Sequence, residues 1–146
     1  MWQALQAFIE EKMMSRRELR EQIFKLLFRI EFNELEEMPQ QCIYFFEDED
    51  NASKEADEDY IQGKYKKIIE KLPQIDEMLN EKAEGWKTSR MSKVDLTLLR
   101  LAIYEIEFDE EVPTGVAINE AVELAKNFGQ EESSSFVNGI LAKFAK

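Results

Sequence analysis

Apolar residues recur at helical spacing along most of this chain, and this periodicity limits the folds open to it. The strongest case spans residues 94–106, whose apolar side chains are Val94, Leu96, Leu98, Leu99, Leu101, Ala102, Ile103 and Ile106. No segment shows the alternation typical of a half-buried strand, and 146 residues contain only five Gly and three Pro. The sequence therefore predicts an all-α protein with the 94–106 helix at the centre of its core. Arg100 within this helix needs a partner, and Glu105 or a C-terminal carbonyl is expected.

Helix starts are marked by two serines. Ser15 and Glu18 have the spacing of a capping box, in which each side chain accepts a hydrogen bond from the backbone N–H of the other residue. Ser92 and Asp95 repeat this spacing ahead of the most apolar helix. Pro73 interrupts another helical pattern and is predicted to begin a new helix as its first residue. In total the sequence predicts about seven helices joined by short links.

Residue usage excludes several classes of protein. A chain of 146 residues suffices for one domain that folds without disulfides or metals. It contains no histidine, which excludes His-based triads, HExxH zinc sites and imidazole acid–base catalysis. Cys42 is the single cysteine, so neither an intramolecular disulfide nor a cysteine-based zinc site is possible, and a reducing compartment is expected. No P-loop, G-x-G-x-x-G motif or nucleophile elbow occurs, and the sequence predicts a protein that is not an enzyme.

The first thirteen residues contain a short amphipathic pattern. Trp2, Leu5, Phe8 and Ile9 fall on one helical face, but neither a basic n-region nor a signal-peptidase site is present. No stretch approaches the roughly 20 apolar residues of a membrane span, so a cytoplasmic location and no membrane partner are expected. The apolar stripe is consistent with packing on its own body, with pairing to a second chain in a homodimer, or with a wrongly assigned start.

Three stretches of the chain resemble one known family. The C-terminal stretch combines Pro113, VAINEAVELAK at 116–126, Phe128 with Gly129, Ser133, and FVNG at 136–139. The central stretch has VD at 94–95, LRLA at 99–102 and YE at 104–105; the N-terminal stretch has RR at 16–17, RE at 20–21 and Leu27. Together they cover roughly residues 14–145 and resemble the NusB family, and the long C-terminal motif makes the resemblance specific.

The resemblance implies a NusB-like helical bundle of seven helices in two subdomains. Residues 14–146 would form the NusB-like RNA-binding domain, and residues 1–13 would be an N-terminal helical extension. NusB proteins bind the boxA element of nascent ribosomal RNA together with the ribosomal protein NusE, and they support transcription antitermination. By resemblance, this protein is expected to bind boxA-like single-stranded RNA and NusE within the transcription elongation complex, with no cofactor or metal.

Basic residues of the N-terminal helix are the expected phosphate contacts: Arg16, Arg17, Arg20 and Lys25. Their alternative role is solvation of the helix surface, with Lys25 and Glu21 forming an i,i+4 ion pair. Arginines at a helix N-terminus oppose the helix dipole, so a bound anion would compensate for them. The resemblance favours phosphate binding.

Aromatic side chains that stack on unpaired bases are expected beside these charges. Phe136, at the start of the last helix, is the first candidate, and its alternative role is to anchor that helix in the core. Phe28 is the second candidate and is equally suited to docking NusE. Trp86 is expected to be a core lid over the junction of the two subdomains.

The resemblance adds Lys126, Glu132 and Ser133 to the RNA-binding set. Each also has a local alternative, since Lys126 offsets the dipole at a helix C-terminus and the other two precede the last helix and are placed to cap it. Asp95 is the expected NusE contact, and its alternative is the capping box with Ser92.

Two other assignments share the predicted helical fold. Certain ribosomal RNA cytosine methyltransferases begin with a NusB-like domain, but these 146 residues contain no cofactor-binding α/β pattern, so that assignment is not expected. The chain could also be a helical protein-interaction module whose acidic loop recruits basic partners.

The net charge of -12 is distributed unevenly. Residues 12–29 hold six bases and two acids, whereas residues 31–59 hold twelve acids and one base. Because surface charges are screened beyond about 8 Å at physiological salt, a basic patch can bind phosphate on an acidic protein. The adjacent acidic segment, residues 47–59, predicts weak RNA binding by the protein alone and a need for NusE.

Overall fold

The computed structural model describes residues 2–3, 13–48 and 55–145, and in these residues the chain is helical, without strands. Described residues 13–145 contain six α-helices: α1 (Arg16–Phe28), α2 (Met38–Glu47), α3 (Glu55–Lys82), α4 (Lys93–Phe108), α5 (Thr114–Phe128) and α6 (Ser133–Leu141). Short 3₁₀ segments lie at Arg29–Phe32, Leu35–Glu37, Thr88–Arg90 and Ala142–Phe144. The prediction of an all-α protein is confirmed.

Contacts divide the chain into two compact units, an N-terminal unit of residues 1–66 and a C-terminal unit of residues 67–146. The N-terminal unit has a core built from α1, α2 and the first part of α3: Ile23, Phe24, Leu26, Leu27, Met38, Cys42, Phe45, Ile61 and Tyr65. Arg29 joins the end of α1 to α2, because its Nη1 donates to the backbone oxygen and to Oε1 of Gln41, each at 3.2 Å. Cys42 is a free thiol, and burial raises its pKa.

In the C-terminal unit, α4 is the central helix and packs against both α5 and α6. Eleven of its sixteen residues are buried, which confirms the position predicted from its apolar pattern. The side chains of Leu98, Leu99, Leu101 and Ile103 are among the largest that are fully buried. Because most side chains of α4 are buried in close contact with their neighbours, α4 determines where the adjacent helices lie.

Arg100 has a different partner from the one expected. Its Nε donates to Oδ1 of Asp76 at 2.9 Å and its Nη2 to Oδ2 at 2.8 Å, a bidentate pair between α4 and α3. Asp76 was not among the predicted partners, which were Glu105 or a backbone carbonyl. Periodicity within one helix could not identify Asp76, because the pair depends on how two helices pack side by side.

The prediction of a new helix at Pro73 was also wrong, since α3 runs unbroken from Glu55 to Lys82 with Pro73 inside it. A proline in a helix interior removes one backbone hydrogen bond and usually costs about 3 kcal/mol. Buried residues at helical spacing continue on both sides of it in the C-terminal unit: Ile68, Leu72, Ile75 and Leu79. Burial of this stripe offsets the cost of the proline.

Part of the sequence predictions falls outside the described residues. Of the N-terminal amphipathic pattern, Trp2 is described, as an exposed helical residue, whereas Leu5, Phe8 and Ile9 lie outside. Residues 49–54 of the acidic segment also lie outside. Among the helices that are described, none is both long enough and apolar enough to cross a membrane.

Candidate functional site

The start of α1 forms the capping box that the sequence predicts. Ser15 Oγ accepts a hydrogen bond from the Glu18 N–H at 3.1 Å, and Glu18 Oε1 accepts one from the Ser15 N–H at 3.3 Å. One residue earlier, the Met14 N–H donates to Oδ2 of Asp57 at 3.1 Å. Asp57 belongs to the acidic segment and is buried, so part of that segment anchors the chain just ahead of α1.

The four predicted phosphate contacts on α1 differ in exposure. Arg16 and Arg17, in the first turn, are exposed to solvent. Arg20 is only 9% exposed and offers little surface to a ligand. Lys25 forms the expected i,i+4 ion pair with Glu21, with Nζ 3.7 Å from Oε2. The first turn of α1 therefore carries the most accessible positive charge of this helix, and the roles of all four residues in RNA binding stay predictions.

Phe28 lies in the middle of an aromatic row in the N-terminal unit. Its ring centre is 6.0 Å from that of Phe24 and 5.1 Å from that of Phe32, which meets it edge to face. Phe24 is buried, Phe28 is partly exposed, and Phe32 is 61% exposed. The row thus leads from the core to the surface, and Phe28 is accessible to a partner. Sequence reasoning missed Phe32, whose i,i+4 spacing from Phe28 was the available signal.

In the C-terminal unit, a tight connection joins α5 to α6. The Gly129 N–H donates to the Ala125 oxygen at 2.9 Å, and the Gln130 N–H donates to Ser133 Oγ at 2.9 Å. A Cβ on Gly129 would lie 2.5 Å from both Cβ and Oγ of Ser133. Gly129 has φ of −92°, so it does not adopt the left-handed conformation typical of a glycine that ends a helix. Glycine is required here because Ser133 approaches so closely that a Cβ would collide with it.

This connection carries three predicted RNA-binding residues in different environments. Ser133 is buried and its hydroxyl accepts the Gln130 N–H, which is a structural role. Glu132 is exposed at the N-cap of α6, where its side chain makes no capping bond. Lys126 is exposed near the end of α5, with Nζ 3.3 Å from Oε1 of Glu123. Only Glu132 and Lys126 present side chains to solvent.

Phe136 contacts Trp86 in the C-terminal unit. The two ring centres are 5.2 Å apart with an interplanar angle of 74°, an edge-to-face pair. Phe136 is partly exposed, and Trp86 is 51% exposed. Trp86 is therefore half covered and is not part of the buried core. The missed signal was its position beside the basic residues Lys87 and Arg90.

Asp95 is a buried carboxylate with an unused acceptor. Its N–H donates to Ser92 Oγ at 3.1 Å, but the reciprocal half of the predicted capping box is absent among the described residues. The Asp95 side chain is 9% exposed, and its Oδ1 has no hydrogen-bond partner in the described part of the chain. A buried unsatisfied acceptor usually costs about 1–3 kcal/mol. Asp95 is thus as buried as Arg20, and the described part of the chain supplies no donor to its Oδ1.

The predicted residues form two groups, one in each unit. The N-terminal unit holds the α1 cations and Phe28, and the C-terminal unit holds Lys126, Glu132, Phe136 and Asp95. No group of three His, Cys, Asp or Glu residues suited to a metal ion occurs within the ranges that the structure describes. The accessible side chains of these two groups are mainly cations and aromatic rings, which are groups that bind ligands.

Comparison with known proteins identifies the family. A model of the NusB family matches residues 17–146. Transcription antitermination protein NusB of Agathobacter rectalis is 49% identical over 132 residues, covering 90% of this chain and 100% of that protein. The same protein of Lachnoclostridium phytofermentans is 52% identical over 130 residues, covering 89% and 98%. The structure of T. maritima NusB matches with a TM-score of 0.77 and 36% identity, covering 91% of this chain and 92% of that one. The chain belongs to the NusB family.

Proposed function

We propose that this protein is a transcription antitermination factor that binds boxA-like single-stranded RNA together with the ribosomal protein NusE. In this role it acts within the transcription elongation complex and supports ribosomal RNA transcription. The observation that carries the proposal is family membership, with relatives named transcription antitermination protein NusB that match about 90% of this chain. NusB proteins are non-catalytic, and the protein is accordingly not an enzyme.

The first turn of α1 supports RNA binding. Arg16 and Arg17 are exposed, and the capping box with Ser15 and Glu18 holds the turn that carries them. Guanidinium groups bind phosphate through paired hydrogen bonds, and the release of counterions adds to affinity. Phosphates bound there would also interact favourably with the positive end of the helix dipole.

Asp95 supports binding of a protein partner. Its Oδ1 has no donor among the described residues and is closed to solvent, so a basic ribosomal protein would supply one, from a lysine, an arginine or a backbone N–H, after the Asp95 side chain turns outward. Phe28 provides a partly exposed aromatic surface for the same partner. We assign Asp95 and Phe28 to NusE recognition on this basis.

A second candidate function is a protein-interaction module that recruits a basic partner without RNA. It is favoured by exposed apolar side chains of the N-terminal unit that occur among acidic residues: Phe32, Leu35, Ile43 and Tyr44. Residues 31–48 contain six acids and no base. This candidate would be supported if the protein does not bind RNA.

The double substitution of Arg16→Glu with Arg17→Glu is expected to weaken binding of a boxA-like single-stranded oligonucleotide by at least about tenfold, because attractive phosphate contacts become repulsive. Affinity is measured by fluorescence anisotropy of labelled RNA with NusE present. Each lost contact should also reduce the slope of log affinity against log salt by about 0.7. Arg20 is left unchanged because it is buried.

The matched control is Lys66→Glu with Lys67→Glu on α3, which changes the net charge equally at two exposed positions. It should retain nearly wild-type affinity if the contacts are specific to α1. Equal losses in the two double variants would contradict the assignment of the α1 surface. If the wild-type protein does not bind RNA even when NusE is present, the proposed function is wrong.

Asp95→Asn is expected to weaken NusE binding by about tenfold, because a neutral amide oxygen replaces the carboxylate and loses the attraction between opposite charges. Its effect on the unfolding free energy should stay within about 1 kcal/mol, since no bond of Oδ1 is lost. Isothermal titration calorimetry with NusE and thermal unfolding give the two quantities. Ser92→Ala serves as the comparison at the same helix end, since loss of the cap should lower stability by about 1 kcal/mol without changing NusE affinity. Unchanged NusE affinity in Asp95→Asn would remove Asp95 from the interface.

A further inference from the structure

The segment that follows α3 is held in a defined conformation. Gly85 has φ of +83°, a left-handed conformation that favours glycine, and it turns the chain at the end of the helix. The Trp86 N–H donates to the Ala83 oxygen at 3.0 Å, and the Ala83 N–H donates to the Leu79 oxygen at 2.9 Å. Backbone bonds thus fix Trp86 relative to the last turn of α3.

The other side of this segment is anchored as well. The Thr88 N–H donates to Oδ1 of Asn80 at 2.9 Å, and the Met91 N–H donates to the Thr88 oxygen at 3.2 Å. The Met91 side chain is buried, and Ser92 then caps α4. Because both ends are held, the side chains at positions 86–90 project from a preorganised surface and lose little entropy on binding.

Trp86 is an exposed ring with a fixed neighbour. About half of its surface is accessible, although a tryptophan side chain gains much free energy from burial. The edge-to-face contact with Phe136, at 5.2 Å between ring centres, orients the indole. Two aromatic side chains from different segments therefore form one partly exposed platform in the C-terminal unit.

The same segment is locally basic in an acidic protein. Residues 86–93 contain Lys87, Arg90 and Lys93 and no acid, whereas the whole chain carries a net charge of -12. Lys87 and Arg90 are exposed, and neither forms an ion pair with another residue that the structure describes. These two cations are consequently available to an anionic ligand.

We propose that Trp86, supported by Phe136 and flanked by Lys87 and Arg90, is a stacking site for an unpaired RNA base. The proposal deepens the proposed function, on which it rests for the identity of the ligand. A flat exposed ring beside cations suits single-stranded RNA, because a base stacks on the ring while the adjacent phosphates meet the charges. An acidic peptide would use Lys87 and Arg90 but would have little use for the ring.

The first test uses the fluorescence of Trp86. The chain has two tryptophans, so Trp2→Phe leaves Trp86 as the only reporter. Titration with a boxA-like single-stranded oligonucleotide, with NusE present and its signal subtracted, should quench this fluorescence as the base stacks. The same oligonucleotide annealed to its complement should quench it much less, because paired bases are not available for stacking. Polyglutamate is the acidic-peptide probe and should not quench it.

The second test measures affinity. Trp86→Ala is expected to weaken RNA binding by about tenfold, and Trp86→Phe should recover most of the loss because it retains a stacking ring. Lys87→Ala with Arg90→Ala leaves the ring intact and should lower the salt slope by about 1.4. Lys67→Ala, an exposed lysine of the same unit outside the site, should have little effect on either quantity. Thermal unfolding confirms that each variant is folded.

The outcomes separate this site from the proposed function. If the wild-type protein binds RNA but Trp86 is not quenched and Trp86→Ala binds normally, the stacking site is refuted while RNA binding stands. Quenching by polyglutamate and not by RNA would overturn it in favour of an acidic protein ligand. If no RNA binds even with NusE, the proposed function and the stacking site both fail.

Discussion

Replacing Gly129 by alanine is expected to lower the free energy of unfolding by about 2–3 kcal/mol. The new Cβ would lie 2.5 Å from Ser133 Cβ and 2.8 Å from the Ala125 backbone oxygen. Ser133 is buried and Ala125 lies within α5, so relief requires movement of one helix against the other. For a chain of this size the melting temperature should fall by about 8 °C, which circular dichroism measures directly. The start of α6 would shift as well, and with it Phe136.

Gly139→Ala is the matched control for this prediction. Gly139 lies inside α6 and is exposed, and a Cβ there would meet no atom within 4 Å. Because alanine favours the helix over glycine by roughly 1 kcal/mol, this variant should be slightly stabilised. Adding Ser133→Gly to Gly129→Ala should recover part of the loss, since two of the close contacts disappear. Equal melting temperatures for the two alanine variants would contradict the close approach at Gly129.

Asp76→Ala is expected to destabilise the protein by about 2–3 kcal/mol, because the Arg100 guanidinium loses two charge-assisted hydrogen bonds. The Arg100 side chain is only 15% exposed, so water replaces these bonds poorly. Chemical denaturation gives the unfolding free energy. Since Asp76 lies on α3 and Arg100 on α4, the same loss should loosen the packing of these two helices.

A double-mutant cycle separates the interaction energy of the Asp76–Arg100 pair from the separate contributions of the two residues to stability. Arg100→Met added to Asp76→Ala should restore much of the stability, because an apolar side chain needs no counter-charge in this position. The exposed pair of Lys143 and Glu84 provides a comparison, and Glu84→Ala should change stability by less than about 0.5 kcal/mol. If the Asp76→Ala loss were as small as that of Glu84→Ala, the bidentate pair would contribute nothing to the fold.

Local patterns predicted helix starts with mixed success. The Ser15 capping box formed as expected because its bonds lie within a single turn. At Ser92 only half of the box formed, and the Asp95 carboxylate is buried with no donor to Oδ1 from the residues that the structure describes. Pro73 was assigned to a helix start by its local preference, but the packing of a continuous apolar stripe outweighed that preference.

The candidate site was predicted less completely than the fold. Arg16 and Arg17 are exposed as phosphate contacts require, whereas Arg20 on the same helix is buried. Trp86 was expected to be a core lid, and it lies half exposed against Phe136 beside two exposed cations. Ser133 has its hydroxyl engaged by a backbone N–H within its own connection. Residue type and spacing alone could not separate these cases.

By itself, the sequence determined the all-α class, the start of α1, the central position of α4 and membership of the NusB family. These properties depend on periodicity, on bonds within one turn or on a contiguous motif, all of which are local. Only the tertiary structure decided that Arg100 pairs with Asp76, that Gly129 packs against Ser133 and that Trp86 faces solvent. Side-chain exposure depends on which distant segments cover a residue, and long-range packing sets that arrangement.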